Sequence, residues 1–99
     1  MNLSARYIKQ LKKLGHHLQP VVNIGKNNLS LAVMNAIDKS LNDHELIKIK
    51  IQNASDVDIE KVGQSIQHQL QAKILRGIGH TLLLFRQNPD ETLQKIHFN

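Results

Sequence analysis

The sequence predicts a single α/β domain: a four-stranded mixed sheet with helices packed on it. Three observations predict it. Short apolar or alternating runs mark four strands, amphipathic segments opened by serines mark three helices, and the two kinds interleave as α-β-α-β-α-β-β. The 99 residues, 40% of them apolar, suffice for one modest core.

The first helix is expected over residues 2–17, with Ser4 as N-cap. At about 100° per residue, Tyr7, Ile8, Leu11, Leu14 and Leu18 fall on one side. Arg6, Lys9, Lys13 and His16 fall opposite, with Lys12 on the flank. Pro20 ends the helix and forces an extended entry into a short strand, Val21-Val22-Asn23-Ile24. Gly25-Lys26-Asn27-Asn28 is a turn. Ser30 caps the second helix, with Leu29 and Met34 spaced as a hydrophobic staple. Val33, Met34, Ile37 and Leu41 form its apolar stripe. The run L-I-K-I-K-I from Leu46 alternates as a strand, with Ile47, Ile49 and Ile51 towards a core and Lys48 and Lys50 away from it.

Ser55 opens a third helix whose stripe is Ile59, Val62, Ile66 and Leu70. Asp56, Asp58 and Glu60 suit its positive N-terminal end and read as structural. Residues 72–78 and 81–86 read as two strands joined by a tight turn at Gly79-His80. Strands separated by helices are expected to pair in parallel, and the last strand to return antiparallel. One domain over 1–99 is expected, with an irregular tail from about residue 88 in which Ile96 and Phe98 are free to dock.

Charge is distributed unevenly. Residues 1–37 hold Arg6, Lys9, Lys12, Lys13 and Lys26 and no acid, whereas the rest of the chain balances its charges. The net +5 therefore resides in the first third, which points to a polyanionic partner. A solvated helix face usually mixes signs at i,i+4, and this one does not.

Other chemistries find little support. With no cysteine there is no disulfide framework, thiol nucleophile or cysteine-ligated metal. The six histidines lack metal-ligand spacing, and adjacent His16 and His17 point about 100° apart on a helix. No nucleophile elbow or nucleotide-triphosphatase loop occurs, so neither catalysis, a cofactor nor a small-molecule substrate is expected. The N-terminus lacks the apolar core of a signal peptide, and runs such as Leu82 to Phe85 are too short to span a bilayer; the expectation is a cytoplasmic protein.

The strand–turn–helix junction at Gly25, Lys26, Asn27 and Asn28 offers backbone N–H groups at the positive end of a helix, where phosphate binds well, and it is expected to lie beside the acid-free first helix as one cradle for a sugar–phosphate strand. Tyr7, Phe85 and Phe98 are the only aromatics, and Tyr7 and Phe85 fall on apolar faces. Base stacking across the sheet is therefore not expected, and recognition should rest on phosphate, sugar and helix shape.

Three blocks carry a family resemblance: L-G-H-H-L-Q-P-V-V-N-I-G-K-N-N-L-S from Leu14, H-E-L-I-K-I-K from His44, and I-G-H-T-L-L-L-F-R from Ile78 to Arg86. Together they resemble the CRM domain, the chloroplast RNA splicing and ribosome maturation module, and its bacterial stand-alone YhbY type. The resemblance implies a fold like the C-terminal domain of translation initiation factor three. It implies RNA binding and association with maturing large ribosomal subunits. Gly25 matches the first glycine of the family's G-x-x-G turn, and Asn28 replaces the second. Asn is the side chain best tolerated where φ is positive. His80 falls where the family often has a basic residue, and Arg86 matches the arginine closing its last strand.

The expectation is a monomeric, non-enzymatic protein that binds ribosomal RNA in precursor large subunits. Its candidate RNA-binding residues are Arg6, Lys9, Lys12, Lys13, His16, Gly25, Lys26, Asn27, Asn28 and Arg86. A different class of reading is a protein-interaction adaptor that uses the L-I-K-I-K-I strand or the last hairpin. A membrane-surface helix is disfavoured, because its apolar face is needed for the core and it lacks Trp or Phe anchors.

Overall fold

The computed structural model describes residues 3–25 and 28–98. Lys26 and Asn27 of the expected turn, and Asn2 at the expected helix start, lie outside the described residues. The elements are α1 (Ala5–Gly15), β1 (Pro20–Ile24), α2 (Leu31–His44), β2 (Leu46–Ile51), α3 (Asp56–Leu70), β3 (Lys73–Arg76) and β4 (Thr81–Phe85), followed by a 3-10 turn at Glu91–Leu93.

Each helix starts where a serine can cap it. The hydroxyls of Ser4, Ser30 and Ser55 accept the N–H groups of Tyr7, Val33 and Asp58, each at 3.2 Å. Asp58 returns the favour by accepting the Ser55 N–H, which completes a capping box. α1 is shorter than expected because Ser4 is still extended and Gly15 is the last helical residue.

The sheet order is β1-β2-β4-β3. β1 and β2 pair in parallel, as strands joined by a helix should. β3 does not join them; β4 lies between β2 and β3 and pairs antiparallel with both. The reason is burial on both faces. Leu82 and Leu84 of β4 enter one core and Leu83 and Phe85 the other, so β4 needs a central place. β3, with exposed Arg76, tolerates the edge. β3 also ends earlier than expected. Gly77 donates its N–H to the Thr81 carbonyl at 3.0 Å, and the chain turns through Gly79 at φ +66°.

The sheet separates two cores. Ile47, Ile49 and Ile51 pack with the stripes of α2 and α3 on one face. On the other face Leu46, Leu75, Leu83 and Phe85 pack under Leu11 of α1. The tail completes this second core. Ile96 and Phe98 pack onto it, and the Phe98 ring stacks on Tyr7 with centroids 4.3 Å apart.

The tail is anchored by Glu45, which is 1% exposed. Its carboxylate accepts the N–H groups of Asn88, Lys95 and Ile96 at 2.5, 2.6 and 2.9 Å. Burial alone would push its pKa up, but these three donors outweigh burial and hold it below the usual glutamate range. Glu45 sits at φ +64°, a strained backbone position between α2 and β2.

One end of the sheet collects several chain turns. Gln52 donates its N–H to the Ile24 carbonyl and Ile51 donates to that of His80, both at 2.8 Å. The ends of β1 and β2 and the β3–β4 turn therefore form a common rim, and the tail docks at the opposite end. No described helix is long and apolar enough to cross a membrane.

Candidate nucleic-acid interface

α1 lies on the sheet face opposite α2 and α3, with its N-terminal turn beside the tail and its last turn beside the rim. Arg6, Lys9, Lys12, Lys13 and His16 are all exposed on it. Lys48 and Lys50 are on the same side. Strand residues alternate faces, and Lys48 pairs with Leu83 while Lys50 pairs with Thr81 and Asn23. Lys48 is half-buried, and it lines one cavity together with Lys12 and His16.

Neither α1 nor the strand residues facing it include an acid. The clustered acids of the α3 start lie on the other side, and two of them have partners there. Asp56 accepts a 2.8 Å ion pair from Arg76, and Asp58 belongs to the Ser55 capping box.

Gly25 and Asn28, the described ends of the glycine turn, lie at the rim. Asn28 donates its N–H to the Gly25 carbonyl at 3.1 Å, just ahead of the Ser30 cap of α2. Gly25 is not needed for packing among the described residues. A Cβ there would meet only Asn28 Cβ, at 3.8 Å, and its φ is not left-handed. Among the described residues, nothing else crowds this backbone.

The sequence leads one to expect α1 and this turn side by side in a single cradle. The structure instead puts α1 and α2 on opposite sheet faces, so the two features share only the rim. Two strands, β2 and β4, lie between the Gly25 end of β1 and the Gly77 end of β3, and the three spacings of about 4.8 Å make a span of about 14 Å. The exposed Lys50 of β2 stands on the α1 side of that span, between the outer strands.

Arg86 departs furthest from expectation. Its guanidinium bonds the Asp38 carboxylate and the Leu70 carbonyl at 2.8 and 2.9 Å, and the Asp38 carbonyl and Asn42 Oδ1 at 3.1 and 2.8 Å. With its side chain 19% exposed, it ties α2 and the end of α3 to the end of β4. It has little left to offer a phosphate and is not part of the basic face.

Lys48 and Lys50 are the residues that sequence reasoning left out. Alternation placed them away from the isoleucine core. The missing signal was that Leu46 shares their parity, which marks a second packed face with α1 upon it.

Fold and face together define a small α/β protein in which an acid-free, cation-bearing helix lies on one face of a mixed sheet, with its last turn at the rim. The chain belongs to the CRS1/YhbY (CRM) domain family, whose profile matches residues 3–86. It is 36% identical over 89 residues to a protein of Pseudomonas aeruginosa named as a probable RNA-binding protein, covering 90% of this chain and 86% of that one. It is 37% identical over 92 residues to an RNA-binding protein of Haemophilus influenzae, covering 93% of each. The solution structure of a hypothetical protein of Staphylococcus aureus superposes with a TM-score of 0.80 at 20% identity, covering 97% of this chain and all of the other. It shares the fold.

Proposed function

We propose that this chain is a non-enzymatic RNA-binding protein acting on structured ribosomal RNA during maturation of the large ribosomal subunit. The observation that carries this reading is the acid-free layer formed by α1 and the strand face beneath it, with Lys12, Lys48 and Lys50 leading towards the Gly25 turn. The relatives named for RNA binding support the polyanion being RNA.

In this reading Arg6, Lys9, Lys12, Lys13 and His16 follow the sugar–phosphate backbone along α1. Gly25, Lys26, Asn27 and Asn28 hold a phosphate at the start of α2, where free N–H groups and the helix dipole favour an anion. Lys48 and Lys50 bridge the two. An adaptor that adds a strand along L-I-K-I-K-I is disfavoured, because β2 is paired on both sides.

The test is affinity for ribosomal RNA fragments against salt concentration. About four to six phosphate contacts give a log–log slope of roughly −3 to −5. Lys9→Glu with Lys13→Glu should abolish association with ribosomal particles. Affinity that stays level as salt rises, or particle association that survives the double reversal, would overturn the reading.

A further inference from the structure

Between the last turn of α1 and the β3–β4 turn lies an open pocket of about 250 Å³. Its composition is mixed in an informative way. Leu83 supplies a buried apolar floor. Ile78 stands on the turn beside Gly77 and is 78% exposed, so its side chain is free to contact another molecule. His16 adds an exposed imidazole, and Lys12 and Lys48 add two ammonium groups. Neither lysine pairs with a carboxylate among the described residues, whereas the guanidinium of neighbouring Arg76 is turned to Asp56.

A bare phosphate would use the lysines and leave Leu83 and Ile78 unused. An apolar side chain of a protein would do the reverse. A nucleotide uses both, with a flat base for the apolar and imidazole surfaces and a phosphate for the ammonium groups. The volume is below the roughly 300–1,000 Å³ of sites for drug-sized ligands, which suits a single base with part of its ribose. A base within a continuous duplex has both faces covered by its neighbours and cannot enter.

We infer that this pocket takes one unpaired RNA base turned out of its stack, with the adjoining phosphate on Lys12 and Lys48. The inference rests on the RNA-binding reading above and narrows its target to RNA helices interrupted by a bulge or loop. Recognition then includes a base contact in addition to phosphate and shape.

The experiment uses the full chain and two RNA duplexes of the same sequence, one fully paired and one carrying a single unpaired 2-aminopurine. That base brightens when it leaves the stack. The bulged duplex should bind about tenfold more tightly, as expected from one stacked base, and should brighten on binding. Ile78→Ser, at an exposed site whose loss leaves the fold intact, should bring the affinity ratio towards one and remove the brightening. Lys48→Ala should lower the affinity for the bulged duplex. Equal affinity for the two duplexes, or a preference that survives Ile78→Ser, would overturn the pocket while leaving the RNA-binding reading in place. Failure to bind either duplex would overturn both.

Discussion

Gly15 and Leu83 meet so closely that a Cβ on the glycine would overlap the leucine side chain. Gly15 is the last residue of α1, and Leu83 is buried in the central strand β4. This contact sets how low the basic helix rides on the sheet. It brings Lys12 and His16 to the same cavity as Lys48. Gly15→Ala should therefore overpack the second core and cost about 1–3 kcal/mol. Thermal unfolding reads this as a fall of about 4–8 °C per kcal/mol for a domain of this size. An unchanged Tm would show that Leu83 moves aside freely and that the helix height is not fixed here.

Glu45 makes stability depend on acid. Its carboxylate is held below the usual glutamate range, so the folded state releases this proton more readily than the unfolded chain does. Its stabilising contribution is complete above the unfolded value, about pH 4.3, and is lost as pH falls through the lower folded value. Below that range the tail should come off the second core, with loss of the Tyr7–Phe98 stack. Tyrosine fluorescence followed through an acid titration should show this step. Glu45→Gln replaces one acceptor oxygen with an NH2 group that faces backbone donors. It should cost about 1.5–3 kcal/mol at neutral pH, measured by urea denaturation, and remove the acid step.

Arg86 is a fold residue in this structure, and its substitution separates stability from binding. Arg86→Ala removes the charge-assisted bonds to Asp38 and the bonds to two carbonyls. A loss of about 1.5–3 kcal/mol in unfolding free energy is expected. RNA affinity of the folded variant, measured well below its Tm, should be unchanged. A selective loss of affinity would return Arg86 to the interface.

Local signals made most of the fold legible. The serine caps, the stripes of α2 and α3 and the parity of β2 all depend on neighbours within a few residues, and each appears where the sequence puts it. Strand order was less legible, because choosing β4 over β3 as the partner of β2 depends on which strand is apolar on both faces. The candidate site was legible as charge and not as shape. The acid-free α1 was plain from composition. That it covers Lys48, and that α2 starts on the other face, follow from sheet packing that no local pattern records. The place of Arg86 was not legible, because an arginine bonding a phosphate and one bonding Asp38 look alike in sequence.

Lys48 offers the sharpest test of the basic face. Only the three-dimensional arrangement brings it beside Lys12 and His16. Lys48→Ala should weaken RNA binding by about 0.5–1.5 kcal/mol, the share of a charge-assisted hydrogen bond. It should also flatten the log–log salt slope by about one, as the loss of one phosphate contact requires. Lys39→Ala is the matched control. Lys39 is also a lysine, but it lies on α2 and pairs with Asp43 at 2.8 Å, so its loss should change neither affinity nor slope. Filter binding of one ribosomal RNA fragment at several salt concentrations measures both quantities. If the two variants behave alike, net charge alone drives binding, and the face formed by α1 and β2 has no special part in it.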